Sequence, residues 1–141
     1  MATQRRPKNK PLTHGTQNIL AAMEKYGVRR FVMSAGGIRQ PKDLPNIRFR
    51  LLMGFVRFVA RGAYKDTVGS VQVTRASNID WTVVRMPSPT NAAKTGCVKA
   101  GNVNKSVGMR ISRADAAAFM LSEIEEAKYS REAPVIWSCR Q

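Results

Sequence analysis

The spacing of apolar residues predicts a helix over residues 14–26. Four apolar side chains fall on one face of that helix, namely Ile19, Leu20, Met23 and Tyr26. Thr13 stands where an N-cap residue is expected, and Gly27 stands where a left-handed C-terminal cap is needed. Residues 1–12 are polar and basic and include two prolines, which predicts a loose N-terminal arm.

Two further helical regions are predicted in the middle and near the end of the chain. The first covers residues 47–63 and continues, after a bend near Gly62, to about residue 77. The second opens at Ser112 with an acidic form of the capping box, because Asp115 stands three residues later as a helix N-terminal group. The apolar residues expected to face the core are Leu52, Phe55, Val56, Val59 and Ala63 in the first region, and Ala117, Met120, Leu121 and Ile124 in the second.

Short apolar runs predict three buried strands, over residues 30–35, 81–86 and 134–138. Each run is continuously apolar rather than alternating, and helices are predicted between the runs. This pattern is typical of a parallel sheet with helices on both faces. The sequence therefore predicts an α/β, doubly wound fold with a short parallel sheet of about three strands. Residues 38–46 and 88–108 are expected to be loops, the second with room for one short extended piece.

Charge narrows the range of partners. The chain of 141 residues has a formal net charge of +15, and residues 1–70 hold 14 Lys and Arg against 3 Asp and Glu. Such a field attracts nucleic acids, phosphates or anionic lipids. There is no zinc-finger spacing and no aromatic RNA-binding motif, so a nucleic acid is not the expected partner. The alternative is a chain that keeps one basic surface of a larger protein.

The predicted helix over residues 47–63 also places Arg50, Arg57 and Arg61 opposite its apolar stripe. This arrangement occurs in helices that bind a membrane surface or a partner. A solvated outer face over a packed inner face is the commoner explanation and is preferred here. No membrane partner is therefore expected.

The sequence predicts a cytoplasmic location. No run approaches the roughly 18 apolar residues of a membrane-spanning helix, and no apolar stretch follows the basic residues at the start as in a secretory signal. In a reducing compartment, Cys97 and Cys139 are expected to be free thiols rather than a disulfide.

Three strings of the sequence resemble parts of a known enzyme group. Residues 15–23 (GTQNILAAM) followed by 27–32 (GVRRFV) resemble the fourth helix and fifth strand of atypical short-chain dehydrogenase/reductases. Residues 78–85 (NIDWTVVR) resemble the strand-six signature, and residues 111–117 (ISRADAA) resemble the start of a late helix. The most similar group is the NAD(P)H-binding one that includes flavin reductase (biliverdin-IXβ reductase). The resemblance covers roughly residues 11–138.

The resemblance implies a cofactor and a site. It implies that residues 13–141 form the C-terminal part of an NAD(P)-binding Rossmann-like domain, which uses NADP or NAD and a small-molecule substrate or flavin. The positions that would contact the cofactor are Thr13, Ser34, Ala35, Arg85, Met86 and Pro87. Ser34 is the candidate catalytic residue, because its hydroxyl would lie near the nicotinamide and could position a substrate carbonyl. Two alternatives stay open: Ser34 as a small residue at a strand end, and Arg85 as a structural ion-pair partner.

Features of the family are also absent from the sequence. No G-x-G-x-x-G occurs, and Gly36-Gly37 is interpreted as a turn rather than a phosphate loop. The chain is therefore expected to bind NADPH weakly or not at all by itself. The Tyr-x-x-x-Lys pair is missing too, because Tyr64 is followed directly by Lys65 and position 68 is Val. His14, the single histidine, is expected to be solvated or to cap the helix start rather than to act as a base, and no metal site is predicted.

Two functions remain in the foreground. The preferred one is an NAD(P)-binding oxidoreductase that, in full-length relatives, transfers hydride from NADPH to a flavin, quinone or carbonyl, with the activity of this chain impaired. The alternative is an inactive or partner-binding fragment. In that case the bare edge of the strand over residues 30–35 would pair with another chain, or with a second copy in a homo-oligomer.

Overall fold

The computed structural model describes residues 10–36 and 38–139 of the chain. Helices and strands alternate along them in the order α1 (Pro11–Lys25), β1 (Arg30–Ala35), α2 (Ile47–Val59), α3 (Arg61–Ala76), β2 (Asp80–Arg85), β3 (Pro89–Thr90), β4 (Val98–Gly101), β5 (Ile111–Ser112), α4 (Arg113–Glu126) and β6 (Val135–Ser138). Most of the predicted N-terminal arm, and Gly37 of the predicted turn, lie outside the described residues.

The main sheet has the strand order β1-β2-β6-β4. β1, β2 and β6 are parallel, whereas β4 runs antiparallel to β6 at the far edge. The predicted doubly wound α/β fold with three parallel strands is therefore confirmed. β4 adds an antiparallel edge strand within the region predicted as a long loop, and β3 and β5 form a separate two-stranded parallel pair.

Both faces of the sheet are covered, which explains why the side chains of β2 are buried on both sides rather than on alternate positions only. Successive side chains of a strand point to opposite faces. Val83 packs with Val71 of α3 on one face, whereas Val84 packs with Ala116 of α4 on the other. A third cluster joins α2 to β6 and consists of Phe49, Met53, Val103, Val107, Val135 and Trp137.

The first helix begins three residues earlier than the sequence predicted. Pro11 is its first residue, so Thr13 lies inside the first turn and is not the N-cap. Proline suits the first helical position, because the N–H that it lacks would have no partner there. Gly27, with a φ of 71°, takes the left-handed conformation predicted for it.

The predicted packed face of α2 is wrong in part. Phe49 and Met53 are the buried residues of this helix, whereas Phe55 and Val59 are 67% and 65% exposed, and Ala63 at the start of α3 is exposed as well. Because α2 is apolar around most of its circumference, the apolar stripe alone does not identify the side that packs. The contacts of Phe49 and Met53 with Val135 and Trp137 of β6 determine which side of α2 is buried.

The predicted packed face of α4 is also displaced. Ala117, Leu121 and Ile124 are exposed, although Met120 is half-buried. Ala116 and Glu123 are buried instead. The buried carboxylate of Glu123 lies 3.3 Å from a guanidinium nitrogen of Arg30, so a polar contact helps to set the orientation of the helix.

The expectation of free thiols is wrong: Cys97 and Cys139 form a disulfide. The cause is the strand that the sequence did not reveal. β4 pairs with β6 so that Val98 stands opposite Ser138, and the next step of this ladder places Cys97 opposite Cys139, with Cα atoms 5.5 Å apart. The backbone N–H of Cys139 also donates to the carbonyl of Cys97.

Candidate functional site

A cleft of about 430 Å³ lies at the carboxyl ends of β1 and β2. Open parallel sheets bind ligands at this end of their strands. The sheet contributes Met33, Ser34, Ala35, Gly36, Met86, Pro87 and Pro89 to its lining. The helices contribute Leu12, Thr16, Met53, Val56, Ala60, Ala63, Tyr64, Thr67 and Ser70.

Four of the six residues predicted to contact the cofactor line this cleft together, namely Ser34, Ala35, Met86 and Pro87. The parallel register, which aligns Ala35 with Arg85, brings the ends of the two strands side by side. The N–H of Met86 donates to the carbonyl of Ala35 at 3.4 Å and joins the two strand exits. The Ser34 side chain is exposed, and its hydroxyl has no hydrogen-bond partner among residues 10–36 and 38–139. It is therefore free to meet a ligand.

Arg85, the fifth predicted residue, does not line the cleft. Its side chain is 1% exposed and points into the protein, where its Nη1 lies 2.6 Å from Oδ2 of Asp43. The same guanidinium donates to the carbonyls of Ile38 and Ala133. The structural alternative left open by the sequence, a buried ion pair, is thus the one observed. Burial would raise the pKa of Asp43, but hydrogen bonds from Arg85 and from backbone N–H groups outweigh it and lower the pKa.

Thr13, the sixth predicted residue, also makes contacts that turn it away from the cleft. Its N–H and hydroxyl both donate to the carboxylate of Asp66 on α3, and the N–H of Leu12 does the same at 2.8 Å. Burial would raise the pKa of Asp66, but these hydrogen bonds outweigh it and lower the pKa. Asp66 therefore caps the first turn of α1 from another helix. The N–H groups of that turn already bind a carboxylate, so they are not open to a phosphate.

The contact between α1 and α3 requires a glycine. A Cβ atom at Gly69 would lie 2.5 Å from the hydroxyl oxygen of Thr13. This close approach brings Asp66, one helical turn away, against the N-terminus of α1 and fixes the helical side of the cleft.

Sequence reasoning missed the wall that α3 contributes. Ala63, Tyr64 and Thr67 of α3 line the cleft together with Ala60, which directly precedes the helix. Their i, i+3, i+4, i+7 spacing is the signal that could have found them. Tyr64 was considered only as half of a Tyr-x-x-x-Lys pair. It is half-buried, and the guanidinium carbon of Arg57 lies 5.5 Å from the centre of its ring.

The chemistry of the lining is apolar with a few hydroxyl groups. No charged side chain contributes to it among the described residues. The hydroxyls of Thr67 and Ser70 already donate to helix carbonyls. The hydroxyls of Thr16, Ser34 and Tyr64 have no such partner among the described residues, and of these Ser34 is the exposed one. An apolar slot with few polar groups suits a flat ring such as a nicotinamide or flavin. It holds no carboxylate or imidazole that could act as a base.

Other features of the described chain give weaker evidence of a functional site than the cleft does. A larger cavity of about 680 Å³ lies between the C-terminal parts of α1 and α3, at the amino-terminal end of the strands. That is the end opposite to the one where such sheets bind ligands. His14 is exposed and contacts Gln17. The described residues contain no group of three or more His, Cys, Asp or Glu side chains that could hold a metal ion.

The profile of the NAD(P)H-binding family matches residues 1–127, which is most of the chain. The chain belongs to the NAD(P)H-binding family. The resemblance stated from three sequence strings is confirmed at this level, and the family accounts for a cleft at the strand ends. No curated protein matches the chain significantly.

Solved structures share the fold of this family member at low sequence identity. A short-chain dehydrogenase/reductase from Veillonella parvula, solved in complex with NADP, is 15% identical with a TM-score of 0.72, over 91% of this chain and 59% of that one. The anaerobilin reductase ChuY from Escherichia coli O157:H7 is 15% identical with a TM-score of 0.66, over 92% and 60%. A Rossmann-fold NAD(P)-binding protein from Shigella flexneri is 19% identical with a TM-score of 0.65, over 92% and 56%.

The chain thus spans well under two-thirds of the length of these three structures. Their identities show a shared fold and leave the activity of this chain to be tested. None of the described helices is long and apolar enough to cross a membrane.

Proposed function

We propose that this chain forms the nicotinamide side of an NAD(P)-dependent oxidoreductase site, and that by itself it binds NADPH only weakly. The reaction of a complete site would be hydride transfer from NADPH to a flavin, quinone or carbonyl. Within it, the cofactor supplies the hydride and the protein orients the two rings. Ser34 would position the carboxamide or the substrate carbonyl, and the backbone at Ala35, Met86 and Pro87 would support the ring.

The observation that carries this proposal is the convergence of Ser34, Ala35, Met86 and Pro87 in one apolar cleft at the strand ends. Family membership supports the choice of cofactor. Weak binding follows from the sequence, which has no glycine-rich phosphate loop, and from the first turn of α1, whose N–H groups bind Asp66. Without a backbone cradle for the pyrophosphate, an affinity loss of about 10³-fold or more is expected.

Titration of the full chain with NADPH, followed by cofactor fluorescence, tests the proposal. We expect saturation only near millimolar concentrations, about 10³-fold above the micromolar range. Ala63→Trp places a bulky ring in the cleft and should abolish this weak binding. Ala22→Trp, on an exposed part of α1 away from the cleft, should leave it unchanged. Micromolar affinity would refute the weak-binding claim, and equal binding by the two variants would refute the placement of the ring.

The NADPH titration should also test whether binding depends on the Cys97–Cys139 disulfide. The cytoplasmic location predicted from the sequence and the Cys97–Cys139 disulfide point in opposite directions, because disulfides persist mainly in oxidising compartments. We propose a cytoplasmic location, as the sequence predicted. The titration is therefore run with the disulfide intact and again after reduction.

A second candidate function is association through the open edge of β1. β1 pairs only with β2, so one side of it is unpaired within the described chain. Arg29 and Ala35 direct their carbonyls toward β2, and the alternation of a strand therefore turns the N–H and C=O groups of Arg30, Val32 and Ser34 to the open edge. Such an edge is a template for another strand.

Sedimentation of the full chain over a broad concentration range tests this candidate. We expect reversible self-association, stronger at high salt because the chain carries a net charge of +15. Ser34→Pro removes an edge N–H that has no partner in the sheet and should weaken association. Ala93→Pro is the matched control, because Ala93 is exposed outside the strands and its N–H likewise has no hydrogen-bond partner among the described residues. A single monomeric species at every concentration would exclude the edge as a self-association site.

A further inference from the structure

The outer side of α2 carries a row of exposed apolar side chains, here termed the apolar stripe: Ile47, Leu51, Phe55, Phe58 and Val59. Each is more than three-fifths exposed, and Phe58 reaches 80%. Their spacing of about four residues keeps them on one side of the helix. The stripe runs for about 20 Å along the helix axis. Contiguous exposed apolar surface of this kind marks an interaction site more often than chance.

The core does not account for the stripe. α2 packs through Phe49 and Met53, which are 6% and 7% exposed and lie in the cluster with Val135 and Trp137. The stripe lies on the other side of the same helix. The helix thus has one apolar side that stabilises the fold and a second that is mostly exposed.

Positive charge surrounds the stripe without compensation. From residue 44 to residue 65 the chain has five cationic residues and no Asp or Glu; the cations are Arg48, Arg50, Arg57, Arg61 and Lys65. Arg57, Arg61 and Lys65 line a shallow pocket of about 610 Å³ at the bend between α2 and α3, together with Phe58 and Tyr64. This pocket is termed the cationic notch. None of its three cations forms a salt bridge with any described residue.

We propose that α2 and the cationic notch bind the surface of an anionic phospholipid bilayer. Phe58 belongs to both the stripe and the notch, so apolar and anion-binding groups are adjacent. α2 would lie in the plane of the interface, with the stripe against acyl chains and the notch at headgroup phosphates. Exposed Phe, Leu and Ile side chains beside Arg and Lys are the composition that such interfacial helices use.

Charge complementarity favours this occupant over the alternatives. A second copy of the chain would bring the same cations face to face, and each copy carries a net charge of +15. A nucleic acid would satisfy the cations but offer little to the aliphatic side chains of the stripe. The binding is at the interface, so it does not require a membrane-spanning helix. The proposal differs from the sequence expectation that the chain has no membrane partner.

Co-flotation of the full chain with vesicles tests the proposal, with phosphatidylcholine vesicles compared against vesicles that also contain phosphatidylserine. We expect binding to the anionic vesicles at least about tenfold stronger. The double variant Phe55→Ser/Phe58→Ser should bind the anionic vesicles about tenfold or more weakly than the unmodified chain does. Leu121→Ser/Ile124→Ser is the matched control, because these α4 side chains are also more than half exposed. It should bind like the unmodified chain.

A second pair of variants separates the notch from general charge. Arg57→Gln/Arg61→Gln/Lys65→Gln should weaken binding by about 100-fold. The control Lys94→Gln/Lys99→Gln/Lys105→Gln removes the same charge from exposed positions elsewhere and should have a much smaller effect. In Phe58→Trp the new indole should show a blue-shifted emission on anionic vesicles, since Trp81 and Trp137 are already buried.

Several outcomes would overturn the proposal. One is absence of flotation with anionic vesicles. Another is equal loss from the notch and control charge variants, which would mean that total charge alone attracts the chain. A third is a stripe variant that dissociates a dimer in sedimentation while vesicle binding is unchanged, which would assign the stripe to a second copy.

Discussion

Asp43→Asn is expected to lower the free energy of unfolding by about 3 to 5 kcal/mol. Nη1 and Nη2 of Arg85 lie 2.6 and 2.9 Å from the two carboxylate oxygens of Asp43, and the side chains are 1% and 6% exposed. Asparagine keeps the shape of the side chain but removes its charge. The guanidinium is then left buried without a counter-ion. Urea unfolding followed by tryptophan fluorescence measures the loss.

Asp80→Asn is the matched control for this prediction. Asp80 forms an ion pair with Arg30 at 3.3 Å, but its side chain is 36% exposed, so the loss should stay below about 1 kcal/mol. The double variant Asp43→Leu/Arg85→Met removes both buried charges, but it also takes away the hydrogen-bond partners of four backbone groups, those of Ile38, Gln40, Val103 and Ala133. It should therefore recover only part of the stability lost in the single variant. Similar losses from Asp43→Asn and Asp80→Asn would show that burial does not set the energy of the pair.

The buried pair also positions the cleft. Asp43 accepts hydrogen bonds from the N–H groups of Gln40 and Val103, at 2.8 and 3.0 Å. It thereby gathers the loop after β1 and the segment after β4 around Arg85 at the end of β2. The next residue of the chain, Met86, lines the cleft. Arg85 therefore supports the wall of the cleft but does not line it.

The sequence was informative wherever a structural signal is local. The strand over residues 30–35 has the predicted bounds, and the strand predicted over residues 81–86 is displaced by one residue. The N-cap at Ser112 is also as predicted, with its hydroxyl accepting from the N–H of Asp115 at 3.0 Å. The reciprocal half of the capping box differs, because the carboxylate of Asp115 accepts from the Ser112 hydroxyl rather than from its backbone N–H. Each of these follows from an apolar run or from a polar residue beside a helix start.

Features that depend on contacts between distant parts of the chain were not predicted from the sequence. β4 is a strand because residues 135–138 pair with it, and the disulfide depends on that pairing. The packed face of α4 depends on Glu123, whose backbone and side-chain oxygens both contact Arg30 across 93 residues of sequence. The spacing of apolar residues cannot predict a helix face that is buried through a carboxylate.

The candidate site divides in the same way. Ser34, Ala35, Met86 and Pro87 follow the ends of two neighbouring strands, which a predicted parallel sheet brings together. Tyr64 lines the cleft because of the way α3 packs, and the position of a strand end does not predict that packing. The partners of Thr13 and Arg85 were likewise not visible in the sequence, because Asp66 and Asp43 reach them from distant segments.

Asp115→Asn is the second substitution with a large expected effect, a loss of about 3 kcal/mol in the free energy of unfolding. The carboxylate is fully buried. It accepts from the hydroxyls of Ser112 and Thr95, both at 2.8 Å, and from the N–H groups of Thr95 and Gly96. An amide cannot accept at both ends, so donors of the turn next to Cys97 would be left without partners. Glu125→Gln, on the exposed side of the same helix, should change stability by less than about 0.5 kcal/mol.

The pH dependence of unfolding separates the charge of Asp115 from its shape. Burial would raise the pKa of Asp115, but hydrogen bonds from Thr95, Ser112 and Gly96 outweigh it and hold the pKa far below its ordinary value. A carboxyl with a depressed folded-state pKa stabilises fully above the unfolded value of about 3.9 and loses that contribution as the pH falls toward the folded value. The unmodified chain should therefore lose stability more steeply than Asp115→Asn below about pH 4 in urea unfolding. Parallel losses in the two proteins would mean that the ionised carboxylate is not what holds the turn.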